Sequence, residues 1–286
     1  MKIIDIIYRY EAKDESISPR PLDSDAALRR LEDGNRAFAA LFERQSEQGS
    51  DLQCIVPVDP RELGLLPGNG AGPKQHPFAA VLGCSDARVP IELIFNEGPN
   101  DLFVIRVAGN SLGTEVLGSL KFALDHLSES LKLIVVLGHS GCGALTNAVD
   151  VFLNPTEYLS LASKHSLRSI LDRLLIVVQA CARKLIGAFG ASVVQEPAYR
   201  RALIEASIVT NAALASYSIR QELGNSDSAG LKVVYGVYLL ETREVWCPSS
   251  KKKYSGLAAA PESTAAIIEL GNAIVQSNRI VSLIRE

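Results

Sequence analysis

Cys84, His139 and Cys142 are the residues of this chain best suited to chemistry. Cys84 opens the run Cys84-Ser85-Asp86-Ala87-Arg88, and the other two sit in His139-Ser140-Gly141-Cys142-Gly143. Two thiolates and one imidazole suit zinc, and three protein ligands leave a fourth position open for reaction. Gly141 and Gly143 are small enough to let the backbone turn tightly between and beyond the second pair. His139 and Cys142 alone are a weak signal, and Cys84 strengthens it. The alternative is a pair of inert buried thiols and a core histidine. Asp86 and Arg88 flank the first ligand. A guanidinium can fork onto a carboxylate and hold it ionised. The pair either braces its loop, sets Asp86 to accept a hydrogen bond from water on the metal, or lets Asp86 swing in as a fourth ligand.

Both ligand runs follow strongly apolar segments. Residues 78–83 read as a buried strand ending at Cys84, and residues 132–138 read as another that delivers His139. Residues 102–107 and 231–238 are two further strands, and 111–128 is a helix. Strands alternating with helices predict an α/β fold with a central, largely parallel sheet flanked by helices. In such sheets, sites form at the carboxyl ends of strands, so distant ligands can meet there. Asp23 or Ser24 caps a helix running to about residue 48, with Leu28, Leu31, Phe38, Leu41 and Phe42 along one stripe. A neighbouring subunit is one surface that could cover that stripe. Residues 1–21 read as a loose arm and 49–77 as a long connecting loop. Residues 155–223 are helical in pattern, and 262–286 form a final helix or helix pair. The chain is read as a single domain over 1–286, with an N-terminal arm and helix (1–48), an α/β core (78–240) and a C-terminal helical extension (255–286).

A length of 286 residues and a 47% hydrophobic share allow a large core. A net charge of -3 and the lack of a basic stripe with interleaved aromatics argue against a nucleic-acid binder. Lys251-Lys252-Lys253 reads as a solvated loop. The apolar segment 170–178 is too short to span a bilayer, and the N-terminus lacks the apolar run of a signal peptide, so an integral membrane protein is not expected. Five widely spaced cysteines do not form a disulfide framework. They fit a reducing, cytoplasmic setting. Cys181 reads as helix core, and Cys54 and Cys247 as surface thiols. His76, His126 and His165 lack ligand spacing with each other.

The two ligand runs, with Arg106-Val107-Ala108-Gly109-Asn110 between them and Gly34-Asn35-Arg36-Ala37-Phe38 upstream, resemble the β-class carbonic anhydrases. The similarity covers roughly residues 25–150 and returns near Gly236-Val237-Tyr238. It implies one zinc ion per subunit, held by Cys84, His139 and Cys142, with water or hydroxide as fourth ligand in an open form and Asp86 in a closed form. It also implies reversible hydration of carbon dioxide to bicarbonate and a proton by a zinc-bound hydroxide. The implied assembly is a homodimer or higher even homo-oligomer, in the cytoplasm or in a carbon-concentrating compartment. Two alternatives share the centre: hydrolysis of carbon disulfide or carbonyl sulfide, and a non-catalytic zinc-containing bicarbonate sensor or scaffold.

The resemblance gives Asp86, Arg88 and Gln75 catalytic roles, with Gln75 hydrogen-bonding substrate. It places Phe103, Phe122 and Gly143 at the substrate cleft, Phe122 standing where the plant-like branch often has tyrosine. Ala87 replaces the serine of most members. Some bacterial members bind regulatory bicarbonate through tryptophan, arginine and tyrosine. Arg106 and Tyr238 match the last two, while Val81 stands in the tryptophan position. Gly83 matches the small residue of the regulated branch, whereas Gln75 and Val81 match the constitutive one. An open site is expected.

Overall fold

Runs of Val, Ile and Leu with almost no charge are stable as strands only when both faces are covered. The computed structural model meets that requirement. It describes residues 4–10, 19–48, 52–65, 72–161, 165–223, 230–248 and 256–285. In chain order the elements are β1 (Ile4–Tyr10), α1 (Ser24–Gln48), β2 (Leu52–Val58), β3 (Ala79–Gly83), α2 (Ile91–Ile94), β4 (Leu102–Arg106), α3 (Thr114–Leu127), β5 (Leu133–His139), α4 (Gly143–Leu153), α5 (Thr156–Leu161), α6 (His165–Phe189), α7 (Tyr199–Glu222), β6 (Lys232–Tyr238), β7 (Val245–Trp246), β8 (Ala258–Ala259), α8 (Thr264–Val275) and α9 (Asn278–Arg285).

The central sheet has the order β4-β3-β5-β6-β7, with β8 also paired to β6. Strands β3 to β6 are parallel, and β7 and β8 add antiparallel ends. Alternate residues face opposite layers. Leu82, Ile134, Val136 and Val237 meet Leu145, Leu174, Leu203 and Val209 of the helices on one side. Val81, Leu133, Val135 and Leu137 meet Leu31, Phe78, Ile94 and Phe95 on the other. Fully burying each such side chain stabilises the fold by roughly 1.5–3 kcal/mol before chain entropy is counted. The register pairs Gly83 with Leu137. Cys84 therefore leaves β3 beside the end of β5, where His139 lies.

Two segments differ from the sequence expectation. Residues 4–10 and 52–58, taken as loose arm and loop, form a parallel pair running from Ile4↔Leu52 to Tyr10↔Val58. Both are rich in β-branched and aromatic residues, which suit a pleated surface, and α1 supplies the crossover that parallel pairing needs. Asp5, Arg9 and Pro57 masked this pattern; proline is tolerated because the pair has open edges. Second, the stripe of α1, for which a neighbouring subunit was one possible cover, is covered by its own chain at Leu31, Phe38 and Leu41. Leu31, Phe38 and Leu41 are buried in the same cluster as Phe78, Ile94 and Phe95, with Leu28 packed against it. Asp23 caps this helix, its carboxylate accepting from the Ala26 N–H at 2.7 Å. The side chain of Phe42 and the run Lys251-Lys252-Lys253 lie outside the described residues.

The Gly34-Asn35 pair shows why α1 sits so close to the core. A Cβ on Gly34 would lie 1.8 Å from the carbonyl oxygen of Phe95. Asn35 is buried and donates to the carbonyls of Ile94 (3.2 Å) and Arg243 (3.0 Å), while accepting from the Val245 N–H at 2.7 Å. Gly34→Ala must push helix and loop apart. Its expected cost is about 3 kcal/mol, at the upper end for overpacking, read as a lowered midpoint of urea unfolding.

The C-terminal extension is a helix pair, and its partner surface is α6 and α7. Ile274, Val275, Ile280 and Leu283 are buried there. Lys184 of α6 reaches the Ile268 carbonyl (3.2 Å) and Asn272 Oδ1 (2.8 Å) of α8. Cys181 lies in the helical core as expected. Cys247, expected at the surface, is buried in the core cluster just after β7. Cys54 is half-buried and donates to Asn96 Oδ1 at 3.3 Å. Among the described residues one helix, α7, is long and apolar enough to cross a membrane, and 78% of its apolar window is buried inside the fold. Its apolar character is that of a core helix.

Candidate metal centre

The ligand atoms of Cys84, His139 and Cys142 all lie within 4.8 Å of one another, and all three residues are buried. Each comes from a strand end or helix start. Cys84 follows β3, His139 ends β5, and Cys142 precedes the first turn of α4. Gly141 has φ of 62°, a left-handed conformation that lets the chain reverse between the last two ligands.

The imidazole is set for metal binding. His139 Nδ1 lies 2.9 Å from the Ser140 carbonyl oxygen, so it carries the proton as donor. That leaves the lone pair on Nε2, which is buried and has no hydrogen-bond partner among the described residues. A buried polar atom left unpaired is costly. Facing two sulfurs, it is the signature of a ligand atom, and a backbone carbonyl on the other nitrogen is the usual support of a metal-bound histidine. The donor set therefore fits a soft or borderline divalent cation such as zinc.

The thiols are electrostatically prepared. Cys142 donates to Cys84, which holds the Cys84 thiol well below the ordinary range, against burial and with help from the backbone N–H groups of Asp86 and Gly109. Gly109 N lies 3.3 Å from Cys84 Sγ. Cys142 is pushed up, first by its bond to Cys84 and then by burial and repulsion, while N–H groups of Leu145 and Ala144 at the start of α4 oppose the rise. Those N–H groups would favour a thiolate.

Asp86 stands beside the ligands, Oδ2 being 3.8 Å from His139 Nε2. Arg88 forks onto it, Nε to Oδ1 at 3.0 Å and Nη2 to Oδ2 at 2.7 Å, and the Arg88 N–H adds a third bond at 2.9 Å. These bonds hold the carboxyl below the usual carboxylate range despite partial burial. Arg106 ties down the same loop, its guanidinium donating to the carbonyls of Cys84 (2.9 Å) and Asp86.

The other expected site residues are spread out. Gln75 is exposed on the segment before β3. Phe103 is half-buried in β4, against the helical core. Phe122 is half-exposed on α3, stacked on His126 with ring centroids 4.3 Å apart. Gly143 opens α4 with free space where a Cβ would project. Arg106 and Tyr238 lie on strands separated by two others, roughly 14 Å apart across the sheet at about 4.8 Å per step. Tyr238 is buried, and its carbonyl accepts from Ser140 N at 2.9 Å. The sequence reading missed a chain of polar contacts behind His139. Ser140 Oγ donates to Glu241 at 2.8 Å, and Arg279 bridges Glu241 and Glu205. Nothing in the spacing of these residues signals it; the β5–β6 register and the docking of α9 on α7 bring them together.

A carbonic anhydrase family model matches residues 79–245. The span includes all three ligand residues and the loop that carries Asp86 and Arg88. The chain belongs to the β-class carbonic anhydrase family. It is similar to "Carbonic anhydrase 2" of Mycobacterium tuberculosis, with 38% identity over 124 residues covering 43% of this chain and 52% of that protein. Similarity to a carbonic anhydrase of Mycolicibacterium smegmatis is also 38%, covering 42% and 50% respectively. The matches thus span about half the length of these curated relatives. Among solved structures, the β-carbonic anhydrase CafA of Aspergillus fumigatus aligns with a TM-score of 0.47 at 22% identity, over 86% of this chain and 95% of that one.

Proposed function

We propose that the protein catalyses reversible hydration of carbon dioxide to bicarbonate and a proton, with one zinc ion held by Cys84, His139 and Cys142. The observation that carries this reading is the buried His139 Nε2, without a hydrogen-bond partner among the described residues, facing two thiols with an Arg88-held carboxylate alongside. Zinc at such a centre supplies Lewis acidity that brings the pKa of water towards neutrality.

The chain's own residues do the rest. The Ser140 carbonyl keeps the Nδ1 proton in place, so Nε2 remains a ligand. The Gly109 N–H and the start of α4 offset charge on the two sulfurs. Asp86, ionised and acceptor-only, accepts a hydrogen bond from a donor beside the ligands and so orients it. Arg88 keeps Asp86 in that role and away from the fourth position, which supports the open arrangement. Gln75, Phe103, Phe122 and Gly143 are proposed as substrate-side residues, and Arg106 with Tyr238 as a secondary bicarbonate site; the structure gives Arg106 a bracing role as well. We further propose an even homo-oligomer. The half-exposed row Ile6, Tyr8 and Tyr10 on β1 supports a partner surface, and light scattering on the eluting protein reads the assembly. None of the five cysteines is in a disulfide, which supports a reducing compartment.

Stopped-flow measurement of carbon dioxide hydration tests the activity. Asp86→Asn keeps the loop's shape but removes the carboxylate charge. Its expected rate is lower by at least about 100-fold, the scale of a lost proton-handling group, with zinc content unchanged. Zinc-loaded wild-type protein hydrating carbon dioxide no faster than buffer would refute the proposal.

A further inference from the structure

The C-terminal helix α9 reaches the metal centre through an unbroken series of polar contacts. Arg279 Nη1 lies 2.7 Å from Glu241 Oε1, and its Nη2 lies 2.7 Å from Glu205 Oε2 on α7. The other oxygen of Glu241 accepts from Ser140 Oγ at 2.8 Å. Ser140 Oγ in turn accepts from the Leu240 N–H at 2.9 Å. Ser140 is 4% exposed and directly follows His139, and its carbonyl fixes the His139 Nδ1 proton. Its hydroxyl is thus held by one donor and one acceptor, and the peptide that orients the imidazole cannot rotate freely.

The arrangement is more than a surface ion pair. Glu205 is 9% exposed, and one guanidinium serves two carboxylates that would otherwise repel each other. Arg279 lines a cleft of about 530 Å³ together with Arg201, Glu205 and Glu241. Ile280 and Leu283 anchor α9 in the core, so the guanidinium is delivered by a fixed helix.

We propose that Arg279 is a positioning residue for the metal ligand His139, acting through Glu241 and Ser140, so that docking of α9 tunes metal affinity. The proposal rests on the zinc reading for its affinity effect and on the hydrogen bonds alone for its effect on the imidazole. Supporting partners of metal-bound histidines typically change metal affinity about 10- to 100-fold when removed. Arg279 stands further back, so the lower figure applies.

The test uses full-length Arg279→Ala, Arg279→Lys, Glu241→Gln and Ser140→Ala, with Lys184→Ala as the control that loosens α8 without touching the chain of contacts. Zinc affinity is measured by chelator competition, and the His139 tautomer by its ring ¹⁵N shifts in metal-free protein. Arg279→Ala should weaken zinc binding about 10-fold and give a mixed His139 tautomer. Arg279→Lys and Glu241→Gln should fall between it and wild type, and Ser140→Ala should equal or exceed it. Lys184→Ala should lower the unfolding midpoint while leaving zinc affinity and tautomer at wild-type values. Wild-type affinity and tautomer in Arg279→Ala would overturn the proposal. So would a Lys184→Ala effect of the same size, because the network would then act only through stability. If the wild type takes up no zinc, the zinc reading fails, and the tautomer measurement still decides the network.

Discussion

Cys84→Ser is expected to leave a folded protein that retains less than about a tenth of the wild-type zinc and hydrates carbon dioxide at the uncatalysed rate. Serine is nearly isosteric with cysteine, and its oxygen can still accept the Gly109 N–H that now meets Cys84 Sγ. The sheet around it is held by Leu82, Ile134 and Val136, which the substitution does not touch. The metal is another matter. A thiol near its Cys142 partner ionises readily, its range lowered by that hydrogen bond, whereas a serine hydroxyl does not ionise near neutral pH and is a poor zinc donor. The remaining Cys142 and His139 make a two-ligand site. Metal analysis of the purified variant, with circular dichroism for the fold, separates loss of the centre from loss of the protein. Full zinc occupancy with wild-type activity would show that Cys84 is not a ligand.

Arg30→Ala is expected to cost about 3–5 kcal/mol at pH 8, the range for breaking a buried ion pair from one side. Arg30 on α1 donates to Glu97 through Nε at 2.9 Å and 3.1 Å, pairs with Asp101 at 3.3 Å, and covers the Phe78 ring at 4.6 Å. Glu97 is 3% exposed. Burial pushes its carboxyl up to about 7, although both the hydrogen bonds and the charge of Arg30 oppose the rise. A carboxyl whose folded pKa exceeds its unfolded value binds more protons when folded. Its contribution to stability is therefore complete below the unfolded value near 4.5 and is lost as pH rises through about 7. Without Arg30 the carboxyl is harder still to ionise. The penalty should accordingly be largest at pH 8 and should shrink towards pH 5, where Glu97 is protonated in both proteins. Urea unfolding of wild type and variant at the two pH values measures this. An equal penalty at both would mean that lost packing on Phe78, not the unpaired charge, is the cause.

The central sheet was legible in the sequence because its strands carry no competing signal. Segments such as Leu133 to Leu137 are apolar at every position, and burial on both faces is the only way to use them. The meeting of Cys84 with His139 followed from the rule that parallel sheets gather their sites at strand ends. The pairing of residues 4–10 with 52–58 was not legible. It depends on α1 being covered by the chain itself, and helical periodicity shows that a stripe needs cover without showing what covers it. The contacts of Glu241 and Arg279 behind His139 were equally hidden, since charged residues far apart in sequence look like solvated surface until register and helix docking are known. Gln75 and Phe122 illustrate the opposite case. A family resemblance implies roles for them at the substrate, while Gln75 is exposed and Phe122 half-exposed in the structure.

The most direct test is titration of zinc into metal-free wild-type protein while carbon dioxide hydration is followed by stopped flow. The rate should rise in proportion to added zinc and level off at one ion per chain, with no activity before the first addition. A fully zinc-loaded protein that hydrates carbon dioxide at the uncatalysed rate would contradict the assignment of this centre to catalysis.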